Sequence, residues 1–400
     1  MNEEVPLEAK QVVALDQPRR ILFGLGSSKN LVEEIKRLSD SPKVFLVTDS
    51  NFSKLSSFHE IMDHLDSTTV HVYNKIAGEP TIKLAEDVTV ECRRGDYNIV
   101  VGIGGGSTLD LTKLSSVLYT NEGEVVDYLN FDKSIIRNKP LPKILIPTTA
   151  GSGSEVSSFA VVIGEDRVKT FLQNPLVIAD TAIIDPILTI SCPSKQTAAS
   201  GADVLGTAIE AVLSKKASEL SDMYALEAIK LVITNLEEAV KNGERNLAAR
   251  YYMSLAALFA GLAVSTPAGA NISHCIAEIV GPRYRIPHGM AVGVTTPHSM
   301  RFNGPSCKEG MIKIARVMNI DEHKKDHIDN LDDSAIGPIE RLLQSIGIPN
   351  SFQNSVPFED IDDIARFIIE KQQYSYHLPE INPRPLSFEN VRELLMEMCQ

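Results

Sequence analysis

Two histidines in a largely apolar segment could bind a metal ion. His274 and His288 lie fourteen residues apart in the stretch NISHCIAEIVGPRYRIPHGM. Neutral imidazole is a common ligand for transition metals. Two histidines that are satisfied in a core, or that face solvent, would give the same spacing. The rest of a metal site must therefore be sought elsewhere in the chain.

A carboxylate in suitable surroundings occurs in SGADVLGTAIEA. Asp203, Thr207 and Glu210 are spaced i, i+4 and i+7, so that they share one face of a helix. The other side chains are mostly small and apolar, and an unpaired Asp203 buried among them would cost several kcal/mol unless it bound a cation. One carboxylate and two imidazoles form a normal ligand set for catalytic Zn²⁺ or Fe²⁺. Alternatively, Asp203 only favours the positive end of a helix that begins near Ser200 or Gly201.

A glycine-rich loop, GIGGGSTLD, follows the apolar run NIVV and precedes a helix-like segment. Glycines let the backbone approach a ligand closely, and the N-terminus of the following helix suits a pyrophosphate. A tight strand-to-helix turn is the alternative, and the loop departs from the usual dinucleotide fingerprint because Ser107 replaces the final glycine. The residues expected to bind a dinucleotide here are Gly104, Gly105, Gly106, Ser107 and Asp110.

Two further predicted strand ends carry suitable polar residues. Asp49 ends the run KVFLVTD, where an acid can hold the hydroxyls of a ribose. The segment IPTTAGSGSE supplies the hydroxyl groups of Thr148, Thr149 and Ser152. Because ligands of parallel sheets bind beyond the carboxyl ends of the strands, the sequence predicts a nucleotide site at this edge.

The elements that position these residues change character along the chain. The first half alternates apolar runs with amphipathic segments, which predicts a parallel sheet covered by helices. QVVALDQPRRILFGLG is expected to form two short strands around a turn that contains proline. From about Pro186 onward the pattern is helical, and YYMSLAALFAGLAVS is apolar enough for a buried helix. We predict an α/β dinucleotide-binding domain over 1–185 and an all-helical metal and substrate domain over 186–400.

Composition excludes several classes of function. The chain has 400 residues, 23% of them charged, and a net charge of −13, so that no basic face for nucleic acid is expected. We expect no apolar stretch long enough to span a membrane, and the N-terminus does not resemble a secretory signal. The five cysteines form no CxxC pair. These features predict a cytoplasmic enzyme or binding protein.

Several motifs together resemble the iron-containing (group III) alcohol dehydrogenase family, in the dehydroquinate synthase-like superfamily. They are GGGSTLDLTK, IPTTAGSGSEVS, GADVLGTAIEAVLS, HCIAEIVGPRYRIPHGM, TTPHSMRFN and NPRPLS, and they occur in the family's order. The resemblance implies hydride transfer between NAD(H) and an alcohol or aldehyde, with a metal between two domains. It also implies that Lys169 lies near the cofactor.

The family's metal ligands are an aspartate, a histidine four residues later and two further histidines. Asp203, His274 and His288 match three of these, whereas Thr207 stands where the second ligand should be a histidine. Glu278 replaces another histidine, which lines the pocket in many relatives and is often given a role in proton relay. Glycerol dehydrogenases of the same superfamily use one aspartate and two histidines with Zn²⁺, so Thr207 could mark such a site. Alternatively, Glu278 ligates the metal or handles protons, or the metal site is lost.

The resemblance is compatible with three hypotheses about the function. The first is an NAD-dependent alcohol dehydrogenase with Fe²⁺ or Zn²⁺, in which Asp203, His274, His288 and Glu278 form the catalytic site. The others are a lyase of the dehydroquinate synthase type, which uses NAD and Zn²⁺, and a nucleotide-binding relative without metal. A homodimer or larger assembly is expected from the resemblance, with edge strands near the N-terminus available for pairing.

Overall fold

A parallel six-stranded sheet forms the core of the N-terminal half. The structure is a computed structural model that describes residues 12–65, 69–129, 136–318, 332–353 and 355–400. The strands are β1 (Arg20–Phe23), β2 (Lys43–Asp49), β3 (Thr69–Ile76), β4 (Ile99–Gly104), β5 (Lys143–Pro147), β6 (Phe159–Ile163), β7 (Lys169–Gln173) and β8 (Thr181–Ile184). The sheet has the order β1-β8-β5-β4-β2-β3, and β6 and β7 form a separate antiparallel hairpin.

Helices cover the sheet and form the C-terminal half. The helices of the N-terminal half are α1 (Leu31–Leu38), α2 (Ser56–His64), α3 (Ile82–Arg93) and α4 (Gly106–Thr120). The long helices that follow are α5 (Ser194–Leu213), α6 (Glu219–Asn242), α7 (Leu247–Val264), α8 (Ile272–Tyr284), α9 (His288–Asn303) and α10 (Lys308–Val317). The remaining helices are α11 (Gly337–Ser345), α12 (Ile361–Phe367), α13 (Gln373–Ser375), α14 (Leu378–Ile381) and α15 (Phe388–Cys399).

Burial on both faces explains why the central strands are continuous apolar runs. Every residue of β4 and β5 is buried, and one face of the sheet packs through Phe45 and Val100 while the other packs through Leu46 and Val101. Strands covered by helices on both faces need no polar alternation. The predicted fold class, a parallel sheet followed by a helical half, is confirmed.

The segment before the first strand differs from the prediction of two strands around a turn. Only Arg20–Phe23 forms a strand, which pairs with β8, and residues 12–18 have no regular secondary structure. Pro18, although buried, has no N–H to donate to a neighbouring strand, and Val12 is 93% exposed, so that this stretch forms no strand ladder. Gln11, the first residue of the predicted strand, lies outside the described residues.

Helix α7 corrects the expectation that no stretch could span a membrane. Within the described ranges it is the one helix long and apolar enough by length and composition alone. However, 61% of it is buried inside the protein, where it packs against α5 and α6. It therefore serves as a core helix of the C-terminal half, as its nearly uniform apolar character predicts.

A close contact between two glycines joins the sheet to α7. Gly153, in the loop after β5, has a φ of +62°, and a Cβ at this position would lie 2.5 Å from the Cα of Gly261. A Cβ at Gly261 would in turn lie 2.8 Å from Cγ2 of Val156. Only glycine leaves room for this approach, so the pair fixes the loop that carries Thr148, Thr149 and Ser152 against the helical half.

We predict that Gly261→Ala destabilises the protein by about 1–3 kcal/mol, because the added methyl group overpacks the contact with Gly153. The better helix propensity of alanine would offset part of this loss. Chemical unfolding of the variant gives the measurement. Gly304→Ala is the control, since a Cβ there meets Met311 at an ordinary 3.6 Å. Equal stability of the two variants would contradict a tight contact at Gly261.

Candidate metal and cofactor site

Three helices bring the predicted metal ligands together. Asp203 lies on α5, His274 on α8, and His288 is the first residue of α9. One ligand atom from each residue lies within 4.8 Å of the other two. Nε2 of His274 is 3.3 Å from Oδ1 of Asp203, and Nε2 of His288 is 3.5 Å from the same oxygen. The arrangement matches the pattern that the sequence predicts.

Glu210 fixes the orientation of His274. Nδ1 of His274 donates to Oε2 of Glu210 at 2.5 Å, and Oε1 of Glu210 accepts from the backbone N–H of Ser273 at 2.7 Å. The ring is thereby turned so that Nε2 faces Asp203. Carboxylates that hold metal-binding histidines in this way are common. The i+7 spacing puts Glu210 on the same face of α5 as Asp203, but the sequence pattern alone does not predict its contact with His274.

The electrostatics of the cluster distinguish the two histidines. Burial would lower the pKa of His274, but the carboxylates of Glu210 and Asp203 overcome this effect and raise it to about 10. Burial and the nearby charge of Lys169 lower the pKa of His288 to about 3. The two buried carboxylates, of Glu210 and Asp203, thus stabilise a positive charge within the cluster. An oxygen donor and two imidazole nitrogens converge on that place, which fits a divalent metal ion.

Thr207 lies beside the cluster without completing it. It is one turn after Asp203 on α5, and its Oγ1 is 3.4 Å from Nε2 of His274. A neutral hydroxyl is a poor ligand beside carboxylate and imidazole. The strong donors that converge here are therefore the three of Asp203, His274 and His288.

Glu278 is close to the cluster but outside the group of converging donors. It lies one turn after His274 on α8 and is 6% exposed. Burial raises the pKa of Glu278, although Lys169 and a hydrogen bond with Tyr376 oppose the rise. In the described part of the chain, the group within 4.8 Å contains Asp203, His274 and His288 only.

A cavity of about 600 Å³ extends from the cluster to the carboxyl edge of the sheet. The predicted cofactor residues along its wall are Gly106, Ser107, Asp110, Thr149, Ser152 and Lys169. It also reaches Asp203, Glu278 and His288. A Cβ at Gly106 would lie 2.5 Å from Oγ of Ser152, so that a larger residue would separate the glycine loop from the threonine loop.

Other predicted cofactor residues lie at the same edge but outside the wall of this cavity. Asp49 ends β2, the neighbour of β4, and its Oδ1 accepts from the backbone N–H groups of Asn51 and Phe52 at 3.0 and 2.9 Å. Thr148 is buried and its N–H donates to the carbonyl of Gly104 at 3.0 Å, which joins the two loops. Gly104 is the last residue of β4, and Gly105 connects it to α4.

Asp110 contacts protein groups as well as the cavity. Its Oδ1 accepts from the hydroxyl of Ser154 at 2.6 Å and lies 3.8 Å from Nζ of Lys113. The buried Lys113 in turn donates to the carbonyl of Phe159 at 2.6 Å. These contacts tie α4 to the threonine loop and to β6. Asp110 therefore supports the wall of this cavity.

A second cavity, also of about 600 Å³, opens on the other side of the cluster. It includes Thr207 and His274, and it shares Asp203, Glu278 and His288 with the first cavity. Its apolar lining residues are Val12, Phe159, Val161, Phe171, Val264, Pro267, Ala270 and Ile381. Two of the three converging donors, Asp203 and His288, therefore line both cavities, and His274 lines the second, which suits a site for two reactants.

Comparisons with known proteins agree with this geometry. The family model "Iron-containing alcohol dehydrogenase" matches residues 18–186, and the family's C-terminal model matches residues 197–399. Long-chain-alcohol dehydrogenase 1 of Geobacillus thermodenitrificans is 33% identical over 93% of both chains. A solved 1,3-propanediol oxidoreductase covers 97% of this chain and is itself covered completely, with 29% identity and a TM-score of 0.89.

A third comparison concerns the cofactor. The sulfoacetaldehyde reductase of Bifidobacterium kashiwanohense, solved in complex with NAD⁺, is 27% identical with a TM-score of 0.85 over 97% of this chain and 99% of that one. The relatives are alcohol dehydrogenases and an aldehyde reductase, so the lyase reading is not favoured. The chain belongs to the iron-containing alcohol dehydrogenase family and is a metal-dependent oxidoreductase of alcohols and aldehydes.

Proposed function

We propose that the enzyme transfers a hydride between NAD(H) and an alcohol or aldehyde at a metal held by Asp203, His274 and His288. The position of these donors where the two cavities meet carries the proposal. A divalent ion there supplies Lewis acidity towards the substrate oxygen. Glu210 keeps His274 oriented, and the apolar wall around Phe159 and Phe171 excludes water from the reactants. Net formation of NADH with simple alcohols tests the reaction and distinguishes it from a lyase.

The first cavity is the proposed cofactor site. Backbone N–H groups at Gly106 and Ser107, at the beginning of α4, would bind the pyrophosphate. Thr149 and Ser152 would donate hydroxyl groups, with Gly104, Gly105, Thr148 and Asp110 shaping the loops. Lys169 lines this cavity together with Glu278 and His288, and we assign the nicotinamide to this end because it lies beside the proposed metal ligands. Support comes from this lining and from the NAD⁺ complex of the related reductase.

Zn²⁺ is the metal that we propose, with Fe²⁺ as the alternative. Three strong donors and a hydroxyl at Thr207 form a set with one imidazole fewer than the family pattern. Zn²⁺ commonly takes three protein ligands in catalytic sites, although availability in the cell also selects the metal. Metal analysis of the purified protein distinguishes Zn²⁺ from Fe²⁺.

Substitution of His288 by alanine should weaken Zn²⁺ binding by more than about 100-fold, since it removes a direct ligand. Glu210→Gln should weaken it by about 10- to 100-fold, because an amide holds His274 less firmly than a carboxylate. Competition with a chelator measures both affinities. Thr207→His should bind metal more tightly than the unchanged protein, because it restores an imidazole at the fourth position.

Thr234→His provides the matched control, since Thr234 lies on an exposed part of α6. This variant adds an imidazole without changing the cluster, so its metal affinity should equal that of the unchanged protein. If the unchanged protein takes up neither Zn²⁺ nor Fe²⁺ at micromolar concentration, the metal assignment is wrong. The chain would then act as a nucleotide-binding relative.

NAD(H) should bind more tightly than NADP(H) because of Asp49. Its Oδ1 is held by two backbone N–H groups, so a ribose hydroxyl would donate to Oδ2. A 2′-phosphate about 4 Å away would be repelled by roughly 4 kcal/mol at an effective dielectric of 20, before screening by salt. Asp49→Ser should therefore reduce the preference, as measured by dissociation constants for both dinucleotides.

The matched control for this prediction is Asp63→Ser, which removes the same charge from an exposed position on α2. It should leave the ratio of the two dissociation constants unchanged. Tighter binding of NADP⁺ than of NAD⁺ by the unchanged protein would show that Asp49 does not contact the ribose.

A homodimer or larger assembly is also proposed. β1 is an edge strand of the sheet, and Leu25 and Ile187 beside it are 52% and 40% exposed. Apolar groups next to an open strand edge favour pairing across a two-fold axis. Sedimentation at micromolar concentration should give at least twice the chain mass of 43.8 kDa.

Leu25→Lys should weaken this assembly, because it places a charge beside the strand edge. Val126→Lys is the control, since Val126 is 49% exposed on another part of the surface. A sedimentation mass near 43.8 kDa for the unchanged protein would exclude the dimer.

We place the domain boundary at Asp185–Pro186 and the enzyme in the cytoplasm. β8, the last strand, ends at Ile184, and Asp185 accepts hydrogen bonds from the backbone N–H groups of Gly26 and Ser28 in the N-terminal half. The five cysteines are free thiols, which suits a reducing compartment.

A further inference from the structure

Arg285 ends helix α8 in a backbone conformation that arginine rarely adopts. Its φ is 57° and its ψ is 36°, and its backbone N–H donates to the carbonyl of Gly281. Glycine, and sometimes asparagine, is usual at such a helix end, because the Cβ of other residues strains the left-handed backbone. A residue held in this conformation next to a cavity is a candidate for a functional side chain.

Arg285 lies on the wall of the proposed cofactor cavity. It lines this cavity together with Gly281 and Pro282, at the end of α8 in the helical half. Gly106 and Ser107 line the same cavity at the beginning of α4, in the N-terminal half. Arg285 is also exposed, so that a dinucleotide can reach its guanidinium group from solvent.

The charges on this wall leave Arg285 as the unpaired cation. The wall carries two cationic side chains, Lys169 and Arg285, and four carboxylates, those of Glu79, Asp110, Asp203 and Glu278. Nζ of Lys169 lies 3.9 Å from Oε1 of Glu79, whereas Arg285 forms no ion pair with any residue of the described ranges. A dinucleotide brings two further negative charges in its pyrophosphate. Arg285 is the side chain of this wall that is free to compensate them.

The pyrophosphate needs donors on more than one side. Among the described residues no side chain caps the first turn of α4, so its backbone N–H groups are available to a phosphate. These groups belong to the N-terminal half alone. A guanidinium group presents parallel N–H donors that match two oxygens of a phosphate. Arg285 can supply such donors from the helical half.

We propose that Arg285 binds the pyrophosphate of the dinucleotide from the helical half and thereby positions the cofactor between the two halves. This inference rests on the proposed function, which assigns the pyrophosphate to Gly106 and Ser107. The contact gives a reason for an arginine at a helix end where glycine would be less strained. A dinucleotide held from both halves would keep its nicotinamide beside the proposed metal ligands.

Calorimetric titration of the purified protein with NADH and with ADP-ribose tests the role of Arg285. ADP-ribose contains the pyrophosphate but lacks the nicotinamide. Arg285→Gln should weaken the binding of both ligands by the same factor of about 10, because it removes a charge-assisted contact that both ligands make. Arg285→Lys should lose less affinity, since it keeps the charge but not the paired donors.

Arg283→Gln is the matched control. It removes the same charge two residues earlier, where the guanidinium carbon of Arg283 lies 4.8 Å from the ring centre of Phe367 and outside the wall of the cavity. This variant should bind NADH and ADP-ribose as tightly as the unchanged protein does.

Arg285→Asn separates cofactor binding from folding. Asparagine tolerates the left-handed backbone better than arginine does, so the unfolding temperature of the cofactor-free protein should not fall. The affinity for NADH should nevertheless fall about 10-fold. A lower unfolding temperature together with unchanged affinity would make Arg285 a structural helix end and would overturn the proposal.

Three results of the titrations would also overturn the proposal. They are equal affinities of Arg285→Gln and the unchanged protein, a loss for NADH but not for ADP-ribose, and an equal loss in Arg283→Gln. The second would assign Arg285 to the nicotinamide, and the third would reduce its effect to the general charge of the helix end. The titrations need no substrate. Absence of NADH formation with every alcohol would therefore contradict the proposed function, while the binding data would still decide the role of Arg285.

Discussion

Burial of negative charge in the helical half is the constraint on which the site depends. Asp203 and Glu210 are 7% and 1% exposed on one face of α5, and buried carboxylates are tolerated only when they are paired. His274 lies between them, with one ring nitrogen near each carboxylate. This three-part contact sets the position of α8 against α5. A cation at the converging donors would compensate the remaining charge, so the pairing that stabilises the buried carboxylates also shapes the proposed metal site.

The cofactor side is positioned by close backbone approach. The glycine loop meets the threonine loop where a Cβ at Gly106 would lie 2.5 Å from Ser152, and the threonine loop meets α7 through Gly153 and Gly261. Because both contacts exclude larger side chains, the loops at the carboxyl edge of the sheet pack closely against the helical half. The two cavities share the lining residues Asp110, Ser152 and Val161 of the N-terminal half and Asp203, Glu278 and His288 of the helical half.

The sequence predicts the sheet and the helical half, because the spacing of apolar residues differs between strands and helices. It also predicts the three converging donors, because each is a polar residue in apolar surroundings. Glu210 had the spacing but no predicted role, since its partner, His274, lies 64 residues away and only the fold brings them together. The stretch before β1 was predicted as a strand from its sequence pattern around a turn, yet residues 12–18 pair with no strand of the described part of the chain. Asp49 illustrates a further limit, because strand-end position predicts its place at the sheet edge but not the contacts of Oδ1 with its own turn.

The two departures from the family pattern, Thr207 and Glu278, line the same cavity. Thr207 removes an imidazole from the metal position and leaves a short hydroxyl on the wall of the apolar cavity. Glu278 stands where the family resemblance implies another imidazole, and it lines the same cavity. A buried carboxyl at this position carries a cost of desolvation that an apolar residue would avoid. The charge of Lys169 offsets part of that cost, because it lowers the pKa of the Glu278 carboxyl against the larger effect of burial.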